Sequence, residues 1–179
     1  MDAGVAAVIG AAIGTIGGLS GGVLTAVSQG GQQRRQRQID RERRLEEVRR
    51  DAYTAYINSS KQVSAAWWRL NDRLCEKDGS AERQQEAAEE AFAMWAPFSA
   101  AAAAVTVSGP GYVADAADVL RQAMYELDMA GMAWHEAVRQ GGDIDLKVFG
   151  DRFNEAAEAK RAPANAFQAA ARKALGAET

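Results

Sequence analysis

Apolar positions recur along most of the chain at spacings of three and four, which predicts long amphipathic helices. Leu45, Val48, Ala52, Tyr56, Ser59, Val63, Trp67, Leu70 and Leu74 mark one face of a helix running from about Gln32 to Lys77. Ala87, Ala88, Ala91, Phe92, Trp95 and Phe98, with Ala102 and Val105 beyond, mark a second from about Ala81 to Val107. Val113, Ala117, Leu120, Met124, Leu127, Gly131, Trp134 and Val138 mark a third from about Tyr112 to Gln140. Leu146, Phe149, Phe153, Ala156, Ala157, Phe167 and Ala171 mark a fourth from about Leu146 to Ala174.

The breaks between these runs carry turn chemistry. Lys77-Asp78-Gly79-Ser80 offers a glycine for a left-handed cap and a serine for the next N-cap. Ser108-Gly109-Pro110-Gly111 is the strongest turn signal. Gly141-Gly142 ends the third helix, and Asp143 or Asp145 can cap the fourth. Pro97 and Pro163 fall inside helical runs and should bend them, because proline removes one internal hydrogen bond. Three helices of about 45 Å joined by short loops imply antiparallel neighbours and an up-down-up-down four-helix bundle. A three-helix core with the first helix apart is the alternative. At roughly 70 Å the first helix overshoots its partners by about 15 residues. Its opening turns, to about Arg44, are too polar to pack. They predict a stalk, supported by the i,i+4 charge pairs Arg43–Glu47 and Glu46–Arg50.

The first thirty residues follow another pattern. No charge occurs from Ala3 to Gln33, and Ala3–Val27 holds only Ala, Gly, Val, Ile, Leu, two Thr and one Ser. As a helix those positions reach about 37 Å, enough for a hydrocarbon core of roughly 30 Å. A transmembrane helix is the expectation for residues 1–31, although the seven glycines of Ala3–Val27 make it weakly apolar. A cleaved signal peptide is the main rival. It would want a positive n-region, whereas the early charge is Asp2, but Ala26-Val27-Ser28 has the small residues that cleavage needs. A glycine-rich tail is a further alternative. Gly10, Gly14, Gly18 and Gly22 fall every fourth residue, flanked by Ala6 and Ala26. On a helix this draws one stripe where two backbones can approach closely, so a homo-oligomer through the membrane helix is expected. A glycine-rich composition can also produce that register by chance.

Charge sets the orientation. Arg34, Arg35, Arg37, Arg41, Arg43 and Arg44 follow the uncharged segment in the basic juxtamembrane stretch 32–44. Their excess places the C-terminal side in the cytoplasm and the N-terminus outside. These arginines can also touch anionic headgroups of the lipid bilayer, though setting topology alone would account for them. Residues 51–179, most of the expected bundle at 45–179, carry 13 basic and 19 acidic residues. That acidic mass repels phosphate, and the apolar repeat keeps no strict heptad. No nucleic-acid partner is expected.

Candidate chemistry is sparse. The single His135 has Met132 three residues before it, which fails the Glu-x-x-His pairs of a di-iron bundle. One Cys excludes an intramolecular disulfide, and Cys75 has no base nearby, which reads as a small apolar filler. No phosphate-loop motif occurs. The expected catalytic, metal and cofactor sites are none. Trp67-Trp68 points two indoles about 100° apart, one inward and one near the surface.

The opening MDAGVAAVIGAAIGTIGG, the QRRQRQIDRERRLEEVRRDAYTAYI stretch and the Ala-rich remainder, with 16 Arg against 5 Lys, resemble single-pass membrane proteins with a cytoplasmic helical domain in high-GC actinobacteria such as streptomycetes. The resemblance implies a bacterial membrane location and no catalytic motif. The expected function is a membrane-anchored, non-enzymatic scaffold or docking protein with a protein partner. The alternative is an effector of toxin or phage-defence type, oligomerising through its glycine stripe to disrupt membranes.

Overall fold

The computed structural model describes the backbone of residues 3–76, 79–141 and 145–177, and side chains within those ranges from residue 34 onward. It is all-helical among the described residues: α1 Ala3–Cys75, α2 Ala81–Ala93, α3 Trp95–Ser108, α4 Gly111–Gln140, α5 Leu146–Ala159 and α6 Arg161–Ala174. Two compact units divide it, Met1–Leu45 and Glu46–Thr179. Lys77-Asp78, Gly142-Asp143 and the side-chain surroundings of Gly10, Gly14, Gly18 and Gly22 lie outside the described residues.

The second unit is a bundle of four rods, two of them bent. Both bends have one cause. Pro97 and Pro163 are each the third residue of a new helix, where the missing N–H would lack an intrahelical partner anyway. The proline ring clashes with the carbonyl four residues earlier, and those residues, Ala93 and Ala159, end α2 and α5. The linking residues adopt nearly the same tightened conformation, Met94 at φ −71°, ψ −15° and Lys160 at φ −68°, ψ −15°.

The contacts fix the topology. Rising numbers on α1 meet falling numbers on α2 and α3. Arg49 Nε donates to the Ser108 carbonyl at 3.0 Å, Tyr56 stacks on Phe98 at 5.2 Å, and Trp67 meets Phe92 edge-on at 5.6 Å. The same reversal pairs α1 with α5 and α6 through Tyr56–Phe167 at 4.9 Å and Trp68–Phe153 at 5.2 Å. Against α4 the numbers rise together, because Tyr56 Oη donates to the Ala117 carbonyl at 2.7 Å and Trp67 Nε1 donates to Asp128 at 2.9 Å. Antiparallel neighbours with a parallel α1–α4 pair are the up-down-up-down bundle.

The apolar stripes fill the core. Tyr56, Val63, Trp67, Leu70, Phe98, Val105, Val113, Leu120, Met124, Leu127, Phe153 and Phe167 are all buried. Full burial of a Val, Leu, Phe or Met side chain is worth roughly 1.5–3 kcal/mol. The stripes were incomplete, since Tyr53, Ala66 and Ala130 are buried too.

Several expectations are corrected. Leu45 and Val48 are exposed, so α1 enters the core only at Ala52 and Tyr53. Phe92 and Leu146 are also exposed. The pairs Arg43–Glu47 and Glu46–Arg50 do not close among the described ion pairs. Gly141 closes α4 with a positive φ of 63° and an extended ψ of −165°. Ser80 holds the N-cap position of α2 without a side-chain cap, whereas Asp145 caps α5 through the Lys147 amide at 3.0 Å. Cys75 is exposed rather than a filler.

Candidate functional site

The basic stretch lies on α1 in the first unit. Arg34, Arg35, Arg37, Arg41, Arg43 and Arg44 are all exposed. At about 100° per residue, Arg34, Arg37, Arg41 and Arg44 fall within an arc of about 80°, so four guanidiniums share one face. Arg35 and Arg43 point elsewhere. Asp40 stands at the edge of that arc, and Arg37, Asp40, Arg41 and Arg44 line one shallow depression. The acids of this turn are engaged by amides. Gln36 Nε2 donates to Asp40 at 3.2 Å and Gln38 Nε2 to Glu42 at 3.0 Å. None of the six arginines joins an ion pair among the described residues. No hydrogen bond engages their guanidiniums among the described residues, and guanidinium forks match the phosphate geometry of an external anion.

A second feature was not anticipated. From Ala91 to Ala114 the chain carries no charge. Ala81–Ser108 is the one described stretch long and apolar enough to cross a membrane by length and composition, with mean hydropathy 1.4 over its most apolar window. Its inner side, Ala88, Ala91, Phe98, Ala102 and Val105, belongs to the bundle core. Its outer side is alanine-rich, and Val107 is 89% exposed. The charge-free run is visible in the sequence. The inward stripe alone accounts for a bundle helix, so periodicity does not single this run out.

Polar groups inside the bundle were also missed. Asp128 is buried and its Oδ1 accepts from the Trp67 indole. Burial raises its pKa, and the indole hydrogen bond partly opposes that. Ser64 is buried, and its hydroxyl donates to the Ser60 carbonyl at 2.9 Å. Lys160 reaches in from the α5–α6 bend and donates to Ser64 Oγ at 2.6 Å. The signal for this seam is the run Ser59-Ser60…Ser64 on an otherwise apolar face, together with Asp128 one turn after Met124. Trp67 is buried and Trp68 is 40% exposed, its ring covering Phe153. His135 is half-buried beside Glu136 and Arg139. Burial holds its pKa below the ordinary histidine value, with Glu136 opposing that shift and Arg139 adding to it.

Comparison with family models, with curated proteins and with solved structures returns no match. The class these observations define is an all-α helical bundle carried on a long basic helix.

Proposed function

We propose that the chain is a membrane-anchored helical scaffold that works without chemistry of its own. The uncharged segment Ala3–Val27 of α1 spans the bilayer with its N-terminus outside. Gly10, Gly14, Gly18 and Gly22 bring two or more copies together there. Arg34, Arg37, Arg41 and Arg44 hold the cytoplasmic headgroup layer, and the bundle serves as a docking module for a protein partner on that side. The observation that carries this reading is the face of four exposed, unpaired arginines directly after an uncharged helical stretch. That order is what the positive-inside rule and headgroup attraction require.

Carbonate extraction of cells expressing the full-length chain tests it. The scaffold reading expects the chain in the alkali-resistant membrane pellet. Release into the carbonate supernatant overturns it.

A further inference from the structure

Lys160 owes its place to Pro163. The proline ends α5 at Ala159, and the bend leaves Lys160 between α5 and α6, where its side chain turns into the bundle instead of along a helix surface. Among the described residues its Nζ has one hydrogen-bond partner, Ser64 Oγ, whose own proton is committed to the Ser60 carbonyl. An ammonium carries three donors, so two remain for something else. No carboxylate pairs with it among the described residues. Burial and the neighbouring Arg161 both push its pKa below the ordinary lysine value, the cost of holding a cation there without an anion.

Beside Lys160 lies a cavity of about 200 Å³. Its floor is apolar: Ile57, Leu120, Met124 and Phe167. Polar groups enter from Lys61, Lys160, Ser60 and Gln168. In a chain with more acids than bases, none of the described Asp or Glu residues lines it, and Lys61 also lacks an ion pair among the described residues. Two unpaired cations above an apolar floor suit a ligand that is anionic at one end and apolar at the other. The volume falls below the roughly 300–1,000 Å³ typical for drug-sized molecules, so the ligand is small. Among the described residues no arginine lines the cavity. It therefore suits a carboxylate better than a phosphate, which collects more donors.

We propose that this cavity binds a small carboxylate bearing a short apolar chain, its head between Lys61 and Lys160 and its chain against Phe167, Leu120 and Met124.

Calorimetric titration of the full-length protein in non-ionic detergent micelles tests this, with sodium hexanoate, hexan-1-ol and inorganic phosphate as probes and micelles alone as blank. Hexanoate should saturate at one site per chain, with hexanol and phosphate each at least ten-fold weaker. Lys160→Met, which keeps the chain length, and Lys61→Met, an exposed change with little bearing on folding, should each weaken hexanoate at least ten-fold. The proposal is overturned if hexanoate does not saturate, if phosphate or hexanol binds as tightly, or if Lys61→Met binds hexanoate like the wild type. Neither membrane retention nor topology enters this readout, so it stands or falls separately from the scaffold reading.

Discussion

The indole of Trp67 on α1 lies against Gly131 on α4, so close that a Cβ on Gly131 would stand within 3.0 Å of three carbons of the ring. Glycine in a helix interior costs about 1 kcal/mol relative to alanine. Here it gives the largest buried side chain the room to reach Asp128 with its N–H.

Gly131→Ala should therefore destabilise the bundle, although alanine is the better helix former. Trp67 is 1% exposed and has nowhere to retreat. Overpacking of this kind costs about 1–3 kcal/mol. Urea unfolding of the full-length chain followed by tryptophan fluorescence reads the change. A midpoint equal to or above that of the wild type would mean that the ring does not lie over this glycine.

Asp128 should make stability depend on pH in an identifiable direction. Burial raises its folded pKa above the unfolded value, so its protonated form is favoured in the native state. Its contribution is fully present below the unfolded carboxylate pKa and is lost as pH rises through the raised folded value. Asp128→Asn keeps an oxygen for the Trp67 N–H and removes the charge. It should raise the thermal midpoint at pH 7 and lose that advantage near pH 4. Asp128→Ala leaves the buried indole N–H without a partner and should cost about 1–3 kcal/mol at both. An Asn variant no better relative to the wild type at pH 7 than at pH 4 would contradict a carboxyl whose ionisation burial opposes.

Much of this core is legible in the sequence, and the reason is periodicity. All eight α4 stripe positions from Val113 to Val138 are at least half-buried, because that helix packs on three sides and its pattern is unbroken. The pattern fails where an element has a neighbour over only part of its length. Leu45 and Val48 continue the α1 stripe, yet the partner helices stop at the Ser108–Gly111 turn and leave them in solvent. Periodicity also cannot place polar groups that reach across helices. The Lys160–Ser64 bond depends on the Pro163 bend, whose position was readable but whose effect on one side chain was not. The basic face was legible as six arginines. That four of them share an arc follows from the helix expected from about Gln32, by its turn of about 100° per residue.

Replacing Arg34, Arg37, Arg41 and Arg44 together by glutamate should weaken the hold on anionic lipid. Each cation near such a surface is worth roughly 1 kcal/mol. Short peptides spanning residues 34–50, wild type and variant, can be compared on vesicles with and without phosphatidylserine. The wild-type peptide should bind the anionic vesicles alone and be released by salt, and the variant should not bind. Equal partitioning of both peptides would leave the arginines with topology as their sole role.

Gly14→Leu combined with Gly18→Leu should abolish self-association in membranes while leaving insertion intact, since two leucines would hold the backbones apart. Crosslinking in native membranes, followed by size analysis in mild detergent, reads the oligomer. Crosslinked species surviving the double change would place the contact elsewhere. A very large assembly accompanied by a membrane leak on expression would favour a pore-forming effector over a scaffold.

Cys75 provides the most direct test of the central claim. It is the lone thiol of the chain, it is exposed, and it closes α1 on the bundle side of the arginines. A membrane-impermeant maleimide should fail to label it in intact cells and should label it in the membrane fraction once the cells are opened. Labelling of intact cells would contradict the cytoplasmic placement of the bundle, and recovery of the labelled chain in the soluble fraction would contradict the anchor itself.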